Sequence, residues 1–174
     1  MTIAAQLLQS AKTGGKDEHN SPRDLLDRVR LLGPIVLDPC TSDENPTGAF
    51  GWFTPKHDGL SRSWADWLNS TTRHGLVYIN SPYSTIAAWV EKMITEVEAS
   101  PRVPFIMLCA ARTDTRWWRK AWAAADAVGL IRGRLTFGDA KSCAPFPSAL
   151  FGLNVSQRRF RSAFADVAEV VIPC

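Results

Sequence analysis

Four consecutive residues offer the most specific chemistry in the chain: Asn80, Ser81, Pro82 and Tyr83. A side-chain amide oxygen, a backbone carbonyl held outward by the proline after it, and an aromatic ring suit one task together. They can grip an exocyclic amino group and stack on the flat ring that carries it. The same tetrapeptide also reads as an ordinary Asn/Pro turn at the end of a strand, and the residues alone leave both readings open. Asp38, followed by Pro39 and Cys40, is the second candidate. A carboxylate only accepts hydrogen bonds, which suits hydroxyl or amino donors on a ligand; a turn cap is the plainer alternative. Asp58-Gly59 is a third, and it too reads as a simple turn.

Such residues need elements to hold them. Ile35-Val36-Leu37 and Leu76-Val77-Tyr78-Ile79 are short apolar runs of the kind that form buried strands, and Asp38 and Asn80 fall at their ends. Phe105 to Leu108 is a third such run. Ser21 and Pro22 read as the N-cap and first residue of a helix carrying Leu25, Leu26, Val29 and Leu32, with Gly33 as its stop. A longer helix is expected over 85–99, with Ile86, Trp89, Val90, Met93, Ile94 and Val97 on one face. Thr113-Asp114 reads as the cap of another, running through Trp117, Trp118 and Trp122. A brief strand at 50–53, an irregular stretch over 54–75, shorter strands at 130–131, 135–137, 149–151 and 170–172, and a helix over 156–165 complete the reading. Helices alternating with wholly apolar strands imply an α/β fold whose mostly parallel sheet is covered on both faces. Ligands of such sheets bind at the carboxyl ends of the strands, where Asp38 and Asn80 would lie.

The 174 residues suffice for one domain with a proper core. Residues 1–18 read as a flexible arm and 19–174 as the single domain. Hydrophobic residues at 45% and charged residues at 21% exclude a wholly disordered chain. The net charge of +3 is too small to demand a polyanionic partner, but 14 of the 20 basic residues are Arg, the side chain suited to bidentate phosphate contacts. Arg112, Arg116, Arg119, Arg132, Arg134 and Lys141 gather after the third apolar run; a solvated helix face explains Arg116 and Arg119 equally well. The four cysteines are scattered and only three histidines accompany them, so neither a metal site nor a disulfide is expected. No apolar stretch approaches the ~20 residues of a membrane span, and no export signal is seen; a cytoplasmic location is expected.

Taken in order, these segments resemble the phage-type (Dam-like) DNA N6-adenine methyltransferases, whose catalytic motif is Asn/Asp-Pro-Pro-Tyr after a buried strand. The matching pieces are Ser21-Pro22, Leu37 to Cys40, Asp58-Gly59-Leu60 with Trp64, Asn80 to Ser84 with Trp89, Ala111 to Thr115 with Trp117, Ile131 to Leu135 with Phe137, and Ala144 to Ala149. The resemblance implies a Rossmann-like class I fold. It also implies methyl transfer from S-adenosylmethionine to the N6 amino group of an adenine flipped out of double-stranded DNA, as in restriction–modification. By the same resemblance, Asn80, Ser81, Pro82 and Tyr83 would be catalytic. Ser21, Pro22, Asp38, Pro39, Cys40 and Asp58 would hold the cofactor, and Ser84, Arg112, Arg132, Arg134 and Lys141 would contact DNA. Ser81 departs from the family's usual proline; its carbonyl survives, but the stiffness of Pro-Pro is reduced. Two alternatives stay open: a weak or inactive DNA-binding relative, and a methyltransferase acting on another amino nitrogen (N4 of cytosine, RNA or protein glutamine).

Overall fold

A computed structural model of the chain describes residues 20–137 and 143–174. Lys141 and the arm at 1–18 lie outside the described residues. The elements run α1 (Arg23–Arg30), β1 (Ile35–Asp38), β2 (Gly51–Trp52), α2 (Trp64–Ser70), β3 (Leu76–Ile79), a 3-10 turn (Tyr83–Thr85), α3 (Ile86–Ala99), β4 (Phe105–Ala110), α4 (Arg116–Ala124), β5 (Ala127–Ile131), β6 (Ser148–Leu153), α5 (Gln157–Phe164) and β7 (Ala168–Val171).

The strands form one seven-stranded sheet in the order β2-β1-β3-β4-β6-β5-β7. Pairings β1–β2, β1–β3 and β3–β4 are parallel. Pairings β4–β6, β5–β6 and β5–β7 are antiparallel. This corrects the expectation of a mostly parallel sheet: half of it is antiparallel. The cause is β6, which runs back between β4 and β5, antiparallel to both. A strand-sized apolar run carries no sign of its direction, so the sequence does not show this reversal. β5 consequently points the same way as β4, and β1 to β5 all deliver their carboxyl ends to one edge.

Strand residues alternate between two core clusters. Tyr78, Ile106, Leu108 and Leu150 face Leu25, Leu26 and Val29 of α1 and Phe160 and Phe164 of α5. Val77, Ile79, Phe105 and Met107 face Trp64 of α2, Trp89, Val90 and Met93 of α3, and Trp118 and Ala121 of α4. Helices thus cover both faces, and Trp64, Trp89 and Trp118 are core residues.

Several local expectations shift. The 54–75 stretch contains α2, capped by Ser63, whose hydroxyl accepts the Asp66 N–H. The buried Glu96 of α3 holds it from outside, accepting the Ala65 N–H at 2.8 Å while paired with Lys92 at 2.5 Å. Thr115, not Thr113-Asp114, caps α4. Residues 135–137 are not a strand; Leu135 accepts the Ala144 N–H through its carbonyl. Pro22 rather than Ser21 occupies the N-cap of α1, with no side-chain cap; the Ser21 hydroxyl is engaged elsewhere.

Candidate active site

Asp38 closes β1 and is 2% exposed. Thr47 Oγ1 donates to its Oδ2 at 2.8 Å and the Cys40 N–H donates to its Oδ1 at 3.2 Å. Burial pushes the carboxyl up to about 6, against the pull of these donors. Thr47 is delivered by a loop that Asn45 folds: its side chain accepts the Ala49 N–H and donates to the Ala49 carbonyl, with the Asn45 backbone in the left-handed region at φ 46°. Burial, and then the nearby Asp38 carboxylate, push the Cys40 thiol well up, so it is a packing group rather than a nucleophile.

Asn80 follows β3, the strand that pairs directly with β1. Its backbone N–H donates to Cys40, joining the two strand ends. Its side-chain Nδ2 donates to Ser21 Oγ at 3.0 Å, and Ser21 Oγ lies 2.7 Å from the hydroxyl of the fully buried Tyr78. The structure therefore brings Ser21 to Asn80. The amide turns its donor end toward Ser21 and its acceptor end the other way.

The Asp58-Gly59 segment is laid over β1's end. Asp58 sits in the left-handed region at φ 52°, and a Cβ on Gly59 would fall 1.9 Å from the Pro39 carbonyl oxygen. Trp64 Nε1 pins the segment by donating to the Gly59 carbonyl at 2.7 Å. Ser21, Asp38, Pro39, Cys40, Asp58 and Asn80 thus form one connected group across the ends of β1 and β3.

The far side of this edge entered the sequence reading only as the matching stretch Ala144 to Ala149, with no role given to its residues. Because β6 is antiparallel to β4, its first residue, Ser148, pairs with Ala110 at β4's carboxyl end. The Ala111 N–H donates to the Pro147 carbonyl at 2.8 Å. Phe146 then meets the Tyr83 ring edge-on, with centroids 5.0 Å apart. Among the described residues, the hydroxyls of Ser81 (3% exposed) and Ser148 (1% exposed) have no hydrogen-bond partner. A buried hydroxyl in that state costs about 1–3 kcal/mol unless water or a ligand reaches it.

Compared with protein families, residues 9–148 match the family described as DNA N-6-adenine-methyltransferase (Dam). The chain belongs to that family. Comparison with individual curated proteins finds no match. For a Dam-family methyltransferase, the remaining residues named from the sequence are distributed unevenly. Ser84 is exposed in the 3-10 turn after Asn80, and Arg112 is exposed in the loop leaving β4. Arg134 is exposed beyond the Gly133 turn, whose φ of 75° places it in the left-handed region. All three leave the same sheet edge as Asn80. Arg132 is exposed too, but it donates to Glu169 at 3.3 Å and to the Ala165 carbonyl at 3.2 Å. It ties β5 to the start of β7.

Arg116 and Arg119 are exposed on α4. A surface groove lined by Phe53, Arg62, Ser63, Asp66, Trp67 and Ser70 contains none of the residues named from the sequence. Among the described residues, no cluster of His, Cys, Asp and Glu could hold a metal ion, and no helix is long and apolar enough to cross a membrane.

Proposed function

We propose that this Dam-family protein transfers a methyl group from S-adenosylmethionine to the N6 amino group of adenine in DNA, on a class I, Rossmann-like arrangement of its sheet. The observation that carries the reading is the seat of Asn80. It stands at the carboxyl end of β3, beside the buried Asp38 of β1, with its amide donor directed at Ser21.

The residues fit S-adenosylmethionine by donor chemistry. Asp38 and Asp58 are acceptor-only groups at one edge, suited to ribose hydroxyls and an ammonium group. The buried Ser81 hydroxyl, unpartnered among the described residues, directly follows Asn80. Asp38, Cys40 and Asp58 would hold the cofactor, and it would supply an electrophilic methyl group.

The chain's own residues do the rest. An adenine amino group is a poor nucleophile because its lone pair is delocalised into the ring. The Asn80 side-chain oxygen accepts one of its N–H groups and the Ser81 carbonyl accepts the other. Holding both hydrogens on one side favours a pyramidal nitrogen whose lone pair faces the methyl donor. Asn80 takes no proton, so its contribution is positioning and preorganised electrostatics. Tyr83 supports the base ring, with Phe146 packed edge-on against it, once the base has left the duplex.

The test is transfer of labelled methyl from S-adenosylmethionine to unmodified duplex DNA, followed by mass spectrometry of the nucleosides. N6-methyladenine formed by wild type, with Asn80→Ala lower by about a hundredfold or more, is the expected result. Equal labelling by the two proteins would remove the assignment. N4-methylcytosine as the product would favour the alternative substrate.

A further inference from the structure

We infer that Ser21 and Tyr78 form a positioning pair that sets the catalytic amide of Asn80, an inference that rests on the proposed role of Asn80. Tyr78 is fully buried, and among the described residues its hydroxyl has Ser21 Oγ, at 2.7 Å, as its hydrogen-bond partner. A buried phenol is costly without an acceptor, so the Tyr78 O–H donates to Ser21 Oγ. Burial drives the phenol's acidity far below normal, which keeps that proton in place. Asn80 Nδ2 donates to the same oxygen at 3.0 Å. Both lone pairs of the Ser21 hydroxyl are then used, and it serves Asn80 as an acceptor.

The consequence is chemical. A side-chain amide has two ends of similar shape and opposite hydrogen-bonding character. Turned one way it accepts from an amino group; turned the other way it sets N–H against N–H and repels it. Holding Nδ2 on Ser21 selects the accepting orientation before any base arrives, so no reorganisation is needed at the moment of reaction. Tyr78 lies on β3 and Asn80 just past its end, and both side chains reach the one Ser21 hydroxyl. Ser21 reaches both because it precedes α1, which packs on Tyr78's face of the sheet. With Pro22 at the N-cap of α1, the Ser21 hydroxyl is not used to cap the helix and serves the site instead.

Steady-state methyl transfer by Ser21→Ala, Ser21→Thr and Tyr78→Phe tests the inference, alongside ¹⁵N spectra of the side-chain amides, with the Asn80 signal identified by its loss in Asn80→Ala. Ser21→Ala should lower kcat by about 10–100-fold, the range for loss of an orienting partner. KM for DNA and for S-adenosylmethionine should stay within about threefold, and Ser21→Thr should restore most of kcat. Tyr78→Phe should show the same pattern to a smaller degree. The Asn80 amide protons should exchange slowly with water in wild type and fast in Ser21→Ala. A Ser21→Ala protein with wild-type kcat, one that raises KM alone, or one whose Asn80 amide exchanges as in wild type would each overturn the pairing. A wild type that transfers no methyl group to DNA would instead overturn the proposed function, and the amide exchange would still decide whether Ser21 holds Asn80.

Discussion

Thr47 Oγ1 donates to Asp38 Oδ2 at 2.8 Å, across nine positions of chain, inside a site where Asp38 is almost wholly removed from water. The bond lowers the cost of the buried carboxylate without removing it, and the carboxyl remains raised to about 6.

That value makes stability depend on pH with a definite sign. The folded-state value of about 6 exceeds the ordinary 3.8, so folding favours the protonated form. The contribution is fully present below about pH 4 and is lost as pH rises through 6. Its size over that span is roughly 3 kcal/mol, taking about 1.4 kcal/mol per pKa unit. Asp38→Asn should flatten this component: between pH 7 and pH 5 the unliganded wild type should gain stability relative to the variant in denaturant titrations. A constant difference between the two across that range would refute the assignment. Thr47→Val should move the midpoint upward.

Gly59→Ala probes how closely the Asp58 segment lies on β1. The added Cβ would meet a backbone oxygen, Pro39 O, at 1.9 Å, with Trp89 at 3.2 Å behind it. Neither the oxygen nor the packed ring can give way freely, so a loss of about 1–3 kcal/mol is expected. Cofactor affinity measured by calorimetry should fall as well. A fully stable variant with unchanged affinity would show that the segment does not shape the site.

Glu96 should matter for stability and not for chemistry. It is buried, paired with Lys92, and carries the α2 backbone through Ala65. Glu96→Ala strands the part-buried Lys92 ammonium and frees the Ala65 N–H, at a cost of about 3 kcal/mol. The thermal midpoint should drop, while kcat at a temperature where the variant is folded should match wild type.

The basic residues separate into two kinds. Arg134 should contribute to DNA affinity, and Arg134→Ala should reduce the salt slope of binding by about one. Arg132, occupied by Glu169 and Ala165, should change that slope less and stability more. Equal slope changes in fluorescence-anisotropy titrations would mean that Arg132 leaves Glu169 when DNA binds.

The carboxyl ends of β1 and β3 were legible because wholly apolar runs stop at Asp38 and Asn80, and period alone marks such runs as buried strands. Trp89 and Trp118 were legible as core for the same kind of reason, helical spacing. What stayed hidden depends on residues distant in sequence. From its neighbours Ser21 looked like a helix cap, and only the resemblance placed it at the site, because its partner Tyr78 is 57 positions away. Helix α2 looked irregular because it is seven residues long and Glu96, on another helix, helps to hold it. Its local signal was present all the same, in the Ser63 cap three residues before Asp66. Thr47 carried no signal, and Phe146 and Ser148 only their place in the matching stretch Ala144 to Ala149, since each acquires its position only when loops from different strands meet at one edge.

The reversed strand β6 also fixes when the site can exist. It is flanked by β4 and β5 and begins at Ser148, so the strand that joins those two is synthesised after both of them. Until that strand arrives, β4 has an open edge on its far side, and Tyr83 lacks the wall that Phe146 provides just upstream. A chain cut after Pro147 would lose β6 and β7 together, leaving β5 with nothing to join it to the strands that carry Asp38 and Asn80.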